Sequence, residues 1–167
     1  MKQKNIILCG FMGCGKSTVC ALLAKKTGMS FIDLDSYIEK KENKTVSKIF
    51  ADSGEDYFRA LEIEAARELS ERNGLVIAAG GGTLVFRENV EVLKKSGRIV
   101  LLELPVETVA KRLENDTTRP LLNRPDKDEA MRELYNKRLP LYRAAADMIV
   151  NADDSPMQVC MEIIRNL

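Results

Sequence analysis

Residues 5–18 read Asn5-Ile6-Ile7-Leu8-Cys9-Gly10-Phe11-Met12-Gly13-Cys14-Gly15-Lys16-Ser17-Thr18, an apolar, strand-like run that breaks into the pattern G-x-x-x-x-G-K-[ST]. Glycines at 10, 13 and 15 allow a tight bend that turns successive N–H groups inward, and such a nest at a helix N-terminus attracts phosphate oxygens. Lys16 is placed to reach the β and γ phosphates, and the Ser17 hydroxyl is the usual protein ligand of the accompanying Mg²⁺. The aliphatic run before the loop and the helical pattern at 17–26 after it, closed by Gly28, supply the strand, loop and helix the pattern requires. The ligand these residues point to is a Mg-nucleoside triphosphate. A glycine-rich turn without ligand is the alternative.

Composition narrows what the rest of the chain can do. Its 167 residues suit one domain, 1–167, long enough to bury about two-thirds of the surface its unfolded chain exposes. Lys and Arg total 26 against 25 Asp and Glu, a net charge of +1, which gives no general affinity for nucleic acid or an anionic membrane. Residues 1–4 lead into a short apolar stretch that runs straight into the loop, so neither a signal peptide nor a membrane span is read and a cytoplasmic protein is expected. Cys9, Cys14, Cys20 and Cys160 have no metal-ligand spacing and read as reduced thiols. The chain has no histidine, which removes His-based acid-base catalysis, Ser-His triads and most zinc chemistry. Carboxylates, Lys, Arg and Mg²⁺ are left to do the work. The even charge and the lack of an obvious apolar patch favour a monomer.

Strand-like runs recur at 6–9, 31–34, 75–79, 99–104 and 148–150, with helical patterns at 16–26, 36–41, 46–51, 55–72, 87–95, 106–114, 127–145 and 156–166. That alternation predicts an α/β fold with a parallel sheet flanked by helices. Thr45 and Ser155 read as N-caps, and Gly74 and Gly97 as C-terminal stops. The one long irregular segment, about 115–126, is polar and carries Arg119, Pro120, Arg124 and Pro125. Loops of this length in a compact domain are often lids.

Four further groups of residues suggest a second half to the site. Phe31-Ile32-Asp33-Leu34-Asp35 places two carboxylates at spacing two on an extended segment, so both are predicted to point to one side at the C-terminal end of a strand. Asp33 can hold Mg²⁺ through water, and Asp35 can accept from a substrate hydroxyl or serve as its general base. An N-cap aspartate plus a surface charge is the other reading. On the helix from about 55, Arg59 and Glu62 share a face at i,i+3, which also suits an ordinary solvated ion pair. Gly80-Gly81-Gly82 follows the apolar run 75–79 and lets a ligand touch backbone N–H groups, with a plain flexible turn as the alternative. Arg138 comes two residues before Pro140 inside a helical pattern, where a kink is expected. Beside it Tyr135, Leu139 and Tyr142 read as core packing.

Taken together the chain resembles the shikimate kinases, a family of the nucleoside-monophosphate-kinase-like P-loop proteins. The resemblance spans nearly the whole chain and rests on the G-F-M-G-C-G-K-S-T loop, the D-L-D pair, G-E-x-x-F-R-x-x-E from Gly54 to Glu62, the triplet Gly80 to Gly82, Arg119-Pro120-Leu121-Leu122 and R-x-x-x-Y from Arg138 to Tyr142. It implies a three-layer α/β/α fold with a five-stranded parallel sheet, a substrate-binding region at about 35–62 and a lid at about 115–126. It also implies ATP-dependent phosphorylation of the 3-hydroxyl of shikimate, giving shikimate 3-phosphate and ADP, a step toward the aromatic amino acids. Gly13, Cys14, Gly15, Lys16, Ser17 and Thr18 are then expected to hold ATP, and Ser17 and Asp33 the Mg²⁺. The substrate would meet Asp35, Arg59, Glu62, Arg138, Gly80, Gly81 and Gly82, with Phe50 and Phe58 lining its ring. Glu62 would hold Arg59. Arg119 would close over the β and γ phosphates, and Arg112 and Pro156 would flank the adenine. The catalytic set implied is Lys16, Asp35 and Arg119. Around Pro156 the chain departs from the pattern it resembles: residues 151–155 read Asn-Ala-Asp-Asp-Ser, where members of that family can carry basic residues, so weaker adenine contacts are expected.

Three rival readings compete, of which an ATP-binding module without catalysis is disfavoured because Lys16, Ser17, Asp33, Asp35 and Arg119 are all present. Another small-molecule P-loop kinase, acting on gluconate or a nucleoside monophosphate, shares fold and ATP site. A nucleotide-dependent switch would need a guanine-recognition N-K-x-D, and Asn43-Lys44 and Asn136-Lys137 both lack the Asp.

Overall fold

A computed structural model describes residues 3–167. Along the chain run β1 (Asn5–Cys9), α1 (Lys16–Thr27), β2 (Ser30–Asp33), α2 (Leu34–Glu42), α3 (Val46–Ser70), β3 (Leu75–Ala78), α4 (Arg87–Ser96), β4 (Gly97–Glu103), α5 (Val106–Leu113), α6 (Lys127–Ala145), β5 (Met148–Asn151) and α7 (Pro156–Asn166). Short 3₁₀ turns at Thr83–Val85 and Pro120–Leu122 complete the elements. The strands form one parallel sheet in the order β2-β3-β1-β4-β5.

Register explains why the site falls where it does. Leu8 of β1 lies opposite Ala78 of β3, and Ala78 lies opposite Asp33 of β2, so three strands end at one level. Every residue of β1 and β3 is buried, which accounts for their apolar composition apart from Asn5: strands inside a parallel sheet are covered on both faces. The chain moves from β1 outward past β3 to β2, then reverses for every later crossover. With right-handed crossovers this puts α1 on one face and α3, α4 and the α5–α6 pair on the other. Helix α7 returns to pack against α1. The reversal leaves a crevice at the C-terminal ends of β1 and β3, the usual ligand position in open α/β sheets.

Most predicted elements are present within a residue or two, and Thr45 and Ser155 do cap their helices, accepting from Lys48 N at 3.2 Å and Gln158 N at 3.3 Å. Ser155 and Gln158 complete a reciprocal capping box. One expectation needs correction. The D-L-D segment is not extended throughout: β2 ends at Asp33, which caps α2 by accepting from Ser36 N at 3.0 Å, and Asp35 lies in the first helical turn. The helices expected at 46–51 and 55–72 are both present within α3, which kinks between them at Gly54, whose φ of 82° and ψ of 176° suit glycine alone. Gly97 does stop α4, capping its C-terminus with extended backbone, and it opens β4. Pro140 sits inside α6, which continues past it. All four cysteines are free and buried, in keeping with their reading as reduced thiols.

One buried polar side chain ties the core together. Asn5, 1% exposed, donates from Nδ2 to Arg72 O at 2.9 Å and Leu69 O at 3.4 Å, and its Oδ1 accepts from Leu75 N at 3.0 Å. It therefore joins the start of β1, the end of α3 and the start of β3, sharing Leu69 O with Arg72 N, which donates to it at 3.2 Å. Asn5→Leu keeps the volume and takes the Asn5 partner from Arg72 O and Leu75 N. Because each unsatisfied buried group costs about 1–3 kcal/mol, urea denaturation of that variant is expected to show a loss of about 2–4 kcal/mol.

Candidate active site

A cleft of about 500 Å³ opens at the C-terminal ends of β1, β2 and β3. One wall is the loop between β1 and α1. Gly13 and Gly15 both hold φ near +80°, a backbone that side chains rarely tolerate. With Cys14 N bonded back to Phe11 O at 3.2 Å, the loop wraps the helix entrance. Lys16 Nζ lies 3.4 Å from Gly10 O, folded over its own loop. Gly13, Cys14, Gly15, Lys16, Ser17 and Thr18 all line the cleft.

The acidic residues stand opposite. Ser17 Oγ donates to Asp33 Oδ2 at 3.5 Å while Oδ1 caps α2, so one carboxylate oxygen builds structure and the other faces the loop. Among the described residues no cluster of three or more His, Cys, Asp or Glu has metal-holding geometry. The Ser17–Asp33 pair nevertheless offers the hard oxygen donors that suit Mg²⁺. Asp35 is largely buried, and burial, reinforced by the Asp33 charge, pushes its carboxyl above the ordinary range against the pull of Lys16 and Arg59. The helical turn after Asp33, rather than a continued strand, aims it into the cleft.

Arg59 and Glu62 are not a solvated pair. Glu62 is 1% exposed and accepts from Arg59 Nη1 at 2.8 Å. Burial pushes the Glu62 carboxyl up, with Arg59 working in the opposite direction. The Arg59 guanidinium lies 5.6 Å from the Phe58 ring and 5.5 Å from the Phe86 ring, and Glu55 reaches its exposed edge at 3.3 Å. Gly80, Gly81 and Gly82 pass directly beneath: an added Cβ at Gly81 would stand 3.0 Å from Arg138 Nη1, and one at Gly82 2.7 Å from Arg59 Cζ. The glycine turn thus admits two guanidinium groups against backbone. Tyr142, read from sequence as core, is buried, yet its hydroxyl donates to Gly81 O. Burial raises that phenol to about 12, so it remains a donor at neutral pH.

The segment at 115–126 holds the cleft's third side through Arg119 and Leu121. Thr118 closes a tight turn on Asp116, donating to Oδ1 from N at 2.8 Å and Oγ1 at 2.6 Å, and Arg119 Nε lies 3.4 Å from Asp116 Oδ2.

The structure gathers almost every residue the sequence singled out, with three exceptions. Phe50 packs on Phe58 with ring centroids 4.8 Å apart, behind the cleft lining, while Phe58 lines it. Arg112 lies outside the lining too, although its Nη1 donates to Gly13 O at 2.8 Å and so touches the phosphate loop. Pro156 is an exposed first-turn residue of α7, also outside the lining. Conversely Val46 and Ala79 line the cleft, and nothing in their apolar character marked them. Thr83 likewise carries no signal, a lone polar residue between the glycine triplet and the apolar pair Leu84-Val85.

A family model described as shikimate kinase matches residues 12–167. The chain belongs to the shikimate kinase family. Membership makes it a phosphotransferase that uses ATP. It is 42% identical to the shikimate kinase of Sulfurihydrogenibium sp. (strain YO3AOP1) over 99% of this chain and 98% of that protein. With the Persephonella marina shikimate kinase it shares 42% identity, over 97% and 98% of the two chains. The structure of the Acinetobacter baumannii shikimate kinase in complex with shikimate superposes with a TM-score of 0.88 at 38% identity, covering 98% of this chain and 94% of that one. A Sinorhizobium meliloti gluconokinase shares the fold alone, at 17% identity and a TM-score of 0.62.

Gly82→Ala tests the packing of this family member's glycine turn. The native φ of −96° and ψ of −8° suit alanine, so the backbone is unstrained and the loss of thermal stability expected comes from parting Arg59 and the buried Glu62, about 3–5 kcal/mol. In a crystal structure of the variant the Arg59 guanidinium should be displaced from Glu62; if it is unmoved, the turn has yielded instead.

Proposed function

We propose that the chain transfers the γ-phosphoryl group of ATP to the 3-hydroxyl of shikimate, releasing shikimate 3-phosphate and ADP. The observation that carries this reading is one cleft in which an amide-lined phosphate loop faces two guanidinium groups, Arg59 and Arg138, with Asp35 among them. A ring acid needs a forked cation for its carboxylate, which arginine supplies and lysine does not. Its hydroxyl needs an acceptor close to the γ-phosphate. The near-even charge of the chain favours a small-molecule partner and a monomer over a nucleic acid, and among the described residues no helix is long and apolar enough to cross a membrane.

Each side chain then has a task. The loop amides of residues 13–18 and Lys16 hold the phosphates. Ser17 and Asp33 are the residues that would hold Mg²⁺, which supplies charge neutralisation at the phosphates when bound. Arg59, kept in place by Glu62, and Arg138 grip the substrate carboxylate while the N–H groups of Gly80, Gly81 and Gly82 face the ring. Phe58 supports the ring's apolar face, and Phe50 acts one layer behind, through Phe58. Asp35 accepts the proton of the attacking hydroxyl as its oxygen bonds to the γ-phosphorus and the bond to the ADP oxygen breaks. Burial makes that carboxylate a stronger acceptor than an exposed one. Arg119 swings from Asp116 to the phosphates as the lid excludes water. Arg112 steadies the loop at Gly13 from the adenine side, and Pro156 marks the far edge of that side.

Release of ADP coupled to an optical readout, with shikimate, gluconate and AMP offered in turn, tests the reading: turnover is expected with shikimate, and preference for either rival would refute it. Asp35→Asn is expected to lower kcat by about 10²–10⁴-fold while calorimetric binding of ATP is retained; near-normal turnover would remove the residue from its role as base. Arg138→Ala should weaken shikimate far more than ATP, and equal losses for the two ligands would show that the carboxylate clamp is misassigned.

A further inference from the structure

Arg59 is held by surprisingly little of its own chemistry. Its Nε is buried with no hydrogen-bond partner among the described residues, its contact with Glu55 lies at the exposed edge, and the two phenyl faces restrain tilt but not rotation in the plane. Orientation of the fork therefore depends on Glu62. That carboxylate in turn has two oxygens to satisfy in a place water does not reach: Oε2 accepts from Arg59, and Oε1 accepts from Thr83 Oγ1 at 3.3 Å.

We infer that Thr83 is a positioning residue for substrate binding, which aims Arg59 by fixing the second oxygen of Glu62. Thr83 is suited to this because it is itself immobilised from several directions. It is 0% exposed; its N–H donates to Gly80 O at 3.1 Å, closing the glycine turn, and its carbonyl accepts from Asn89 Nδ2 of α4 at 2.9 Å. Its single hydroxyl proton is spent on Glu62, the one acceptor it has among the described residues. The bond crosses between two segments distant in sequence, α3 carrying Arg59 and the turn after β3 carrying the substrate-facing amides. One hydroxyl thereby sets the distance between the acid-binding fork and the backbone donors of the same pocket. Without it, Glu62 keeps an unpaired buried oxygen and can recover a partner only by turning, which carries Arg59 with it.

The inference rests on the reading that Arg59 grips the substrate carboxylate, and a double-mutant cycle separates the two. Steady-state kinetics are measured for wild type, Thr83→Val, Thr83→Ser, Arg59→Ala and the Thr83→Val/Arg59→Ala pair, each checked by thermal melting. Thr83→Val is expected to raise the KM for shikimate about tenfold, the scale of one hydrogen bond to a charged group, with kcat and the KM for ATP little changed. Thr83→Ser, which keeps the hydroxyl, should behave as wild type. In the Arg59→Ala background Thr83→Val should add nothing, because its effect passes through the missing side chain. Should the β-branched apolar side chain prevent folding, Thr83→Ala removes the same hydroxyl with less bulk. An unchanged KM in the Val or Ala variant, a joint loss of kcat and both KM values, or a full tenfold effect persisting without Arg59 would each overturn the role of Thr83. A wild-type shikimate KM in Arg59→Ala would instead overturn the clamp itself.

Discussion

A strand covered on both faces and paired on both edges has nowhere to spend its last backbone donors except beyond its end. β1 is that strand, hydrogen-bonded to β3 on one side and β4 on the other. Where the chain leaves the sheet, positive φ at Gly13 and Gly15 turns the freed amides inward at the start of α1, concentrating partial positive charge. Register does the rest. Because Leu8, Ala78 and Asp33 lie on one line across the sheet, the loop, the glycine turn and the acidic pair emerge at the same height and share one crevice.

The charges in that crevice are arranged so that few stand alone before a ligand arrives. Glu62 neutralises Arg59, Asp116 lies beside Arg119, and Asp33 is occupied at α2 and Ser17. These contacts differ in kind. The exposed pair on the lid is weak and exchangeable, as surface ion pairs are, which suits a side chain that must change partners. The Glu62 contact is buried, and breaking such a pair leaves an uncompensated charge, which suits a side chain that must not move. In the function proposed, the same residue types thus serve a mobile gate and a fixed clamp, according to their exposure.

Local patterns exposed much of the site. Lys16 and Ser17 carry a loop signature whose spacing is dictated by phosphate geometry, and Arg59, Glu62, the triple glycine and Arg138 stand out by residue type. Other features depended on what faces them. Asp33 and Asp35 were read as two carboxylates of one strand because alternation is the simplest geometry for that spacing; the cap at Asp33 ends the strand and sends Asp35 into a helix instead. Phe50 and Phe58 are indistinguishable as aromatic residues near the substrate region, and only packing puts one in the lining and the other behind it. Thr83 carries no sequence signal and Tyr142 reads only as core, because a hydroxyl's importance lies in its partner, here Glu62 and the Gly81 carbonyl.

By itself the sequence determined the alternation of strands and helices, the phosphate loop and the family to which the chain belongs, since these follow from periodicity and from residues adjacent along the chain. Only the tertiary structure decided which charges are buried, which hydroxyls bridge separate segments, and how the two arginines meet the glycine turn. The physical reason is that pairing and desolvation are properties of surroundings assembled from distant segments, and α3, the turn after β3, and α6 meet only when the sheet has set their heights.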